Sequence, residues 1–352
     1  MNNLDGATKS GAATTTPSKA AQAPIIKTGL TGAQAPTDAA NPTQPTSWLD
    51  RLGAFFGAGM DVPEQFSTGT LYAPYPALDE EGELVVEPYM MFTSPRGDFG
   101  PQGQMTPSSR DNPHSTNMTQ YWFINYAVTD RFTVAIYPTW TYTWGAHQGT
   151  SSVEFEDLPF DLEYRLTPDY APSVTAYLGA IAPTGHYKGR NKPYNMVGTG
   201  MWALHYGLES QLAFPVWGHA LNFQIWAQAW QPITSARLGG NTTYGTTPGF
   251  KGHAHGGFYG DEGVGAELGL TKQWVLALEL YHTWAQGGTT AGWQDGQHQK
   301  SHDPWSGSFN VGPEVEYNFN ENWGVVAGVI IPVVGHNISA DLQPQVAISS
   351  VF

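Results

Sequence analysis

Between residues 121 and 144 the chain reads YWFINYAVTDRFTVAIYPTWTYTW, and its side chains alternate in character with a period of two. Phe132, Val134, Ile136, Trp140, Tyr142 and Trp144 fall on one parity, and Thr133, Ala135, Thr139, Thr141 and Thr143 on the other. Residues 129–131 (Thr-Asp-Arg) break the run as a tight turn. The stretch therefore predicts two antiparallel β-strands with one greasy, aromatic-ended face and one small, hydroxylated face. A soluble sandwich buries such a greasy face, whereas a transmembrane barrel turns it to lipid.

The same alternation recurs along the chain. It predicts strands at 84–92, 118–128, 132–144, 153–166, 173–182, 200–214, 219–230, 260–270, 274–284, 308–319, 323–333 and 343–352. That makes about twelve, an even number as a single-chain bacterial barrel requires. Connections 129–131, 167–172, 215–218, 271–273 and 320–322 are short. Connections 93–117, 145–152, 183–199, 231–259, 285–307 and 334–342 are long and rich in Gly, Pro and His. The two kinds alternate strictly, the topology of short periplasmic turns and long external loops. The expected fold is all-β: a transmembrane antiparallel up-and-down β-barrel in a bacterial outer membrane, with both termini periplasmic. The closing VAISSVF puts Val346, Ile348 and Phe352 on one parity, similar to a barrel-assembly signal that Ser350 interrupts.

Ahead of the strands the pattern is different. Residues 1–46 are rich in Ala, Thr, Pro, Gly and Ser and carry too little apolar surface to offset their ordering entropy, so a flexible periplasmic tail is expected. Residues 47–83 read as a short helix and a linker. Ser47 would cap the helix, and Trp48, Leu49, Leu52, Phe55 and Phe56 would share one stripe. Trp48, Leu52, Phe55 and Phe56 are the candidates for a plug or docking segment; packing on the barrel's end is the plainer alternative. No apolar run opens the chain, so a secretion signal is expected to have been removed or to lie outside this sequence. Residues 84–352 form the barrel.

Parity then assigns the wall's two faces. With Trp202, Leu204, Tyr206, Leu208 and Leu212 outward, His205, Glu209 and Gln211 point into the lumen. The same register turns Glu87, Asp161, Glu163, Arg165, Asn222, Gln224, Gln228, Glu267, Glu279, Glu314 and Glu316 inward. Carboxylates facing hydrocarbon would cost ~2–4 kcal/mol or somewhat less near the midplane, which favours this register. The lumen is acidic, with Arg165 the clearest inward cation, and Tyr137, Tyr177, Trp226 and Trp230 also project inward. Neighbouring acids such as Glu267 and Glu279 repel unless water, cations or protonation relieve them. About twelve strands lies between solid barrels of ~8 and open pores of ~16–18, so a narrow lumen is expected, obstructed by side chains or by the amino-terminal segment.

Composition agrees. Charged residues are 13%, about half the usual share, while aromatics are also 13% with 13 Trp, 17 Tyr and 16 Phe. The mean hydropathy of −0.32 argues against helical spans but not against a barrel with a polar interior. The net charge of −15 excludes nucleic acid as a partner, and the lack of cysteine excludes thiolate chemistry. No cofactor is expected.

Other chemistry is discounted. His253 and His255 in GHAHGG come nearest to a metal pair, with Asp261 or His298 in reach of neighbouring loops, but no zinc spacing occurs. Asp79, Glu80, Glu81 and Glu83 lack the offsets of a calcium loop and read as a solvated turn. His282 with Ser210 or Ser308 is the only arrangement reminiscent of a membrane phospholipase. No G-x-S-x-G motif accompanies it, and an enzyme is not expected. Gly198-Thr199-Gly200 opens a strand and lacks the helix of a phosphate cradle.

At YAVTDRFTVAIYP the chain resembles the family of meta-pathway phenol-degradation outer-membrane proteins, taken as transporters. The resemblance continues through FEDLPFDLEYRLTP, LGAIAPTG, VGTGMWALHYGL, YGDEGVGAELGLTKQWVLALELY and FNVGPEVEYNFNENWGVVAGVIIPVVG, in the family's order, over roughly residues 121–335. It implies an outer-membrane barrel passing small, often aromatic or hydrophobic compounds; the first ~83 residues depart from the pattern. Passive passage of small solutes through a narrow acidic lumen is the leading expectation. The alternative is an anchoring protein that docks another envelope component through its tail or external loops. Outer-membrane lipid, lipopolysaccharide, a small solute and a periplasmic or envelope protein are the expected partners.

Overall fold

The computed structural model describes residues 62–74, 76, 79–109, 115–145, 149–150, 152–167, 172–190 and 195–352. The tail and the helix expected at Trp48–Phe56 lie outside them. The wall is built from β1 (Leu84–Thr93), β2 (Thr116–Thr129), β3 (Phe132–Ile136 and Thr139–Gly145), β4 (Leu158–Arg165), β5 (Ser173–Ala182) and β6 (Ala203–Val216). It continues with β7 (His219–Pro232), β8 (Tyr259–Gly269), β9 (Trp274–Ala285), β10 (Ser306–Asn318), β11 (Trp323–His336) and β12 (Gln343–Val351). Each strand pairs antiparallel with its neighbour in sequence, and β1 pairs with both β2 and β12 (Leu84↔Tyr126, Val85↔Val351), closing the sheet. Closure leaves no edge, the condition a membrane-spanning sheet must meet.

Local chemistry sets the strand ends. Trp217 and Gly218 turn β6 into β7 with φ of 51° and 82°, a two-residue turn whose twist matches the strands. β3 breaks at Tyr137–Pro138, because proline has no N–H for the ladder. The ladder is carried across the break by Trp122 N–H to Pro138 O and Tyr137 N–H to Pro159 O, both 3.0 Å.

Burial alternates as the pattern requires. On β9, Val275, Ala277, Glu279 and Tyr281 are buried while Trp274, Leu276, Leu278 and Leu280 are exposed. Trp274 and Trp284 bound this outward leucine run; the ten residue steps between them, at ~3.3 Å each and tilted by ~40°, span about 25 Å, the height of a barrel's apolar band. Leu212 keeps the outward parity, opposite Phe223, but is buried. The long connections are more structured than their Gly- and His-rich sequences suggest. Ser235–Gly239, Lys251–His255, Thr289–Gln294 and Gln297–His302 form a second, four-stranded sheet, and Gly97–Phe99, Met105–Pro107 and Ile338–Ser339 a third.

Candidate functional site: the lumen and the loop that fills it

All the predicted lumen residues are buried, Asn222 being the most exposed at 7%. What they face is the chain itself. The described residues of the stretch 65–81 (65–74, 76 and 79–81) enter the barrel beside the turn between β8 and β9, where Phe66 N–H donates to Lys272 O at 3.0 Å. They leave beside the turn between β2 and β3, where Gly82 N–H donates to Ala127 O at 2.8 Å and Glu81 N–H to Asp130 Oδ1 at 3.0 Å. The segment is thus a loop that goes in and comes out at the short-turn end, in the stretch expected to be a linker.

Extended backbone in a lumen needs acceptors for its N–H groups, and the wall acids supply them. Thr68 N–H donates to Glu316 Oε2 and Leu71 N–H to Glu314 Oε2, each at 2.8 Å. Tyr72 and Ala73 N–H converge on Glu279 Oε1 at 3.0 and 2.6 Å. Ser67 Oγ donates to Glu267 Oε1 at 2.8 Å, and Asn222 also donates to Glu267. On the way out Gln224 donates to Pro74 O at 2.7 Å and Thr175 to Pro76 O at 2.6 Å. Hydrogen bonds to charged acceptors are worth ~1.5–3 kcal/mol each. The loop thus partners one oxygen of each of these four wall acids, with backbone N–H groups on Glu279, Glu314 and Glu316 and a side-chain hydroxyl on Glu267.

A second network crosses the wall above the loop's tip. Asp161 on β4 and His205 on β6 are separated by Gly179 on β5, which is register-paired to both. With no side chain between them, His205 Nδ1 approaches Asp161 Oδ1 to 2.6 Å. The other ring nitrogen lies 3.1 Å from Gln228 Oε1, so both face acceptors, as an imidazolium would satisfy. The Gln228 amide donates on to Asp261 at 3.0 Å, which also accepts from Trp226 Nε1 at 2.9 Å and the Tyr72 hydroxyl at 3.1 Å. His205 stacks on Trp230 at 4.6 Å, and Tyr72 on Tyr281 at 3.8 Å.

The opposite side of the lumen is aromatic. Tyr89 stacks on Tyr121 at 4.6 Å, and Tyr137 extends the row beside Phe123, with Leu71 from the loop packed in the same cluster. These residues and Asp261 were legible in principle. Tyr89 shares Glu87's parity, Tyr281 shares that of Glu279, and Tyr121 and Phe123 share that of Asn125.

One sequence reading is corrected. Asp79 is not part of a solvated turn; it is buried at 2% exposure, and burial, followed by the charges of Glu83 and Glu87, pushes its carboxyl well above the usual range. At Gly198-Thr199-Gly200, Asp157 accepts from Thr199 N–H at 2.7 Å and from Thr199 Oγ1 at 2.8 Å. Arg165 is buried and donates to Asp130 O. No group of three or more metal-ligating side chains occurs among the described residues. His282 pairs not with serine but with Glu262, Nδ1 to Oε1 at 2.8 Å, on the outward face. Ser308 bonds Thr283 and Asn310 instead.

A closed wall with an apolar outer belt and a polar, loop-filled interior defines a membrane-spanning twelve-stranded β-barrel. No family model and no curated protein matches the chain. Among solved structures it is similar to the COG4313 outer membrane channel from Pseudomonas putida F1, with a TM-score of 0.56 and 15% identity over 78% of this chain and 97% of that one. The Ralstonia pickettii toluene transporter TbuX aligns with a TM-score of 0.39 and 10% identity over 78% of this chain and 91% of that one. The first likeness establishes the barrel architecture.

Proposed function

We propose that this barrel lies in a bacterial outer membrane with its short turns toward the periplasm, and gives small solutes passive passage when the lumen loop withdraws. The observation that carries this reading is how the described residues of the lumen loop, 65–74, 76 and 79–81, are held. They are joined to the wall largely by hydrogen bonds to carboxylates, and they enter and leave at one end, so they can move out without threading the barrel. A withdrawn loop leaves Glu267, Glu279, Glu314 and Glu316 facing the path, which favours cations and uncharged solutes over anions. The stacks of Tyr89, Tyr121 and Tyr137 and of Tyr177, His205 and Trp230 suit flat, apolar or aromatic solutes. The P. putida protein is called a channel, and the phenol-degradation outer-membrane family resembled in sequence points the same way. In this reading the protein is not an enzyme.

Planar-bilayer conductance tests it. The full chain is expected to give small or rare steps, and a variant lacking residues 1–83 larger, cation-preferring ones. Silence from both, together with no swelling of liposomes in small aromatic or sugar solutes, rejects passage. Anion preference contradicts the acidic lining.

A further inference from the structure

Above the long-loop end of the wall, Ser235–Gly239, Lys251–His255, Thr289–Gln294 and Gln297–His302 pair in that order. Residues directly opposed across antiparallel strands point to the same face. The register therefore sets three rows side by side. They are Ser235, His255, Thr289 and His302; Arg237, His253, Ala291 and Lys300; and Gly239, Lys251, Trp293 and His298. One face thus gathers Arg237, Lys251 and Lys300 with four of the chain's histidines. None of the four strands contains Asp or Glu, in a chain of net charge −15. The nearest acids in sequence, Asp295 and Asp303, lie in the turn and just past the last strand. Lys188 adds a further cation at the edge, its Nζ 3.1 Å from Arg237 O.

Over the first two strands the other face is apolar and covered, Ala236, Leu238 and Ala254 packing with Met201 and Phe250 and flanked by Tyr187 and Tyr244, while on the last strand Gln297, Gln299 and Ser301 of that face stay exposed. Met201 shares the parity of Ala203 and His205, the inward residues of β6, so the covered face looks toward the barrel axis and the basic face away from it. Immediately below runs the outward aromatic cluster of Tyr206, Phe258 and Trp284. Such a surface meets the head groups of the leaflet around it. Like charges on neighbouring strands are destabilising without a counter-charge, and a single small anion reaches only part of a face about 14 Å across.

We propose that this face docks the phosphorylated head group of lipopolysaccharide. The proposal rests on the outer-membrane reading above and assigns a specific lipid contact to it. Native mass spectrometry of the full chain in detergent, titrated with deep-rough lipopolysaccharide, tests it. Replacing Arg237→Gln, Lys251→Gln and Lys300→Gln together is expected to weaken binding about a hundredfold at low salt, while Arg96→Gln leaves it unchanged. Dephosphorylated lipopolysaccharide should bind the unaltered protein as weakly as the triple variant binds the intact lipid, and inorganic phosphate should not displace it. Equal binding by the triple variant, equal binding of the dephosphorylated lipid, or displacement by inorganic phosphate overturns the proposal.

Orientation is read separately. The chain has no cysteine, so Gln299→Cys is a unique label site on the outermost strand. Labelling by an impermeant maleimide on intact cells is expected. Labelling only after permeabilisation removes the outer-membrane orientation itself, whereas labelling with unaltered lipid binding by the triple variant removes this proposal alone.

Discussion

Asp161 and His205 stand two strands apart, yet their side chains meet at 2.6 Å because Gly179 leaves the space between them empty. A Cβ on Gly179 would lie 1.8 Å from Asp161 Oδ1 and 2.2 Å from Phe160 O, one of them backbone that cannot give way. Gly179→Ala should therefore expel the Asp161 carboxylate from His205. Breaking a buried ionic pair costs ~3–5 kcal/mol, and the loss should appear as a lower urea midpoint for barrel unfolding. Gly265→Ala is the control: its nearest neighbour would lie 3.7 Å away, so the midpoint should hold or rise slightly. Equal midpoints for the two variants would remove the argument that the glycine exists to let the pair form.

The lumen loop should respond to its acceptors one at a time. Glu279 Oε1 takes two N–H bonds at the loop's tip, from Tyr72 and Ala73. Glu279→Gln keeps an acceptor oxygen and should raise channel open probability only modestly. Glu279→Leu strands both N–H groups, and at ~1–3 kcal/mol per unsatisfied group the loop should open roughly tenfold or more often. Bilayer recordings read the order directly; Leu and Gln variants that gate alike would mean the tip is held by the Tyr72–Tyr281 stack instead.

The wall was legible because a barrel strand writes both of its environments into alternate letters. The β9 pattern, Trp274 through Trp284 outward and Glu279 inward, reads from the sequence almost to its ends. The lumen loop was not legible. Its sequence, QFSTGTLYAP, has no periodicity, since its main fixing bonds come from backbone N–H groups that every residue type carries. What the sequence did contain was the counterpart, a set of inward carboxylates that outnumbers the inward cations, of which Arg165 is the clearest. Asn125 and Glu87 likewise marked the parity on which Tyr89 and Tyr121 lie, but large aromatics on both faces of β1 and β2 masked it. The four-stranded sheet above the wall is not legible in the sequence because its strands are five or six residues long and interleaved with glycine.

Asp79 gives the loop's exit a pH dependence of known sign. Its carboxyl titrates well above the usual range in the folded chain, chiefly through burial and then through Glu83 and Glu87. Between the unfolded value of ~3.9 and that raised value the folded state holds the extra proton, so stability falls as pH rises through this window and levels off above it. Asp79→Asn mimics the protonated form. The difference in unfolding free energy between variant and parent should grow with pH from about 4 upward, in the variant's favour. A difference that stays flat, or shrinks as pH rises, contradicts the buried-acid account.

Glu262 is the acid that the alternation turns outward, and it sits just inside the upper aromatic girdle. Its oxygens are held by His282 Nδ1 at 2.8 Å and Trp284 Nε1 at 2.9 Å, and Phe309 covers the imidazole at 4.5 Å. A charge at this depth costs ~0–1 kcal/mol by itself, and the pair with His282 is worth a similar amount. His282→Ala should therefore destabilise by about 1 kcal/mol, by leaving the carboxylate with Trp284 alone. Glu262→Leu should be neutral or stabilising, because it removes the charge from the lipid side. The double variant should then lose less than His282→Ala does, giving a coupling of about 0.5–1 kcal/mol in a double-mutant cycle. Strict additivity would mean that Trp284 alone accommodates Glu262 and that His282 is held by Phe309 rather than by the acid.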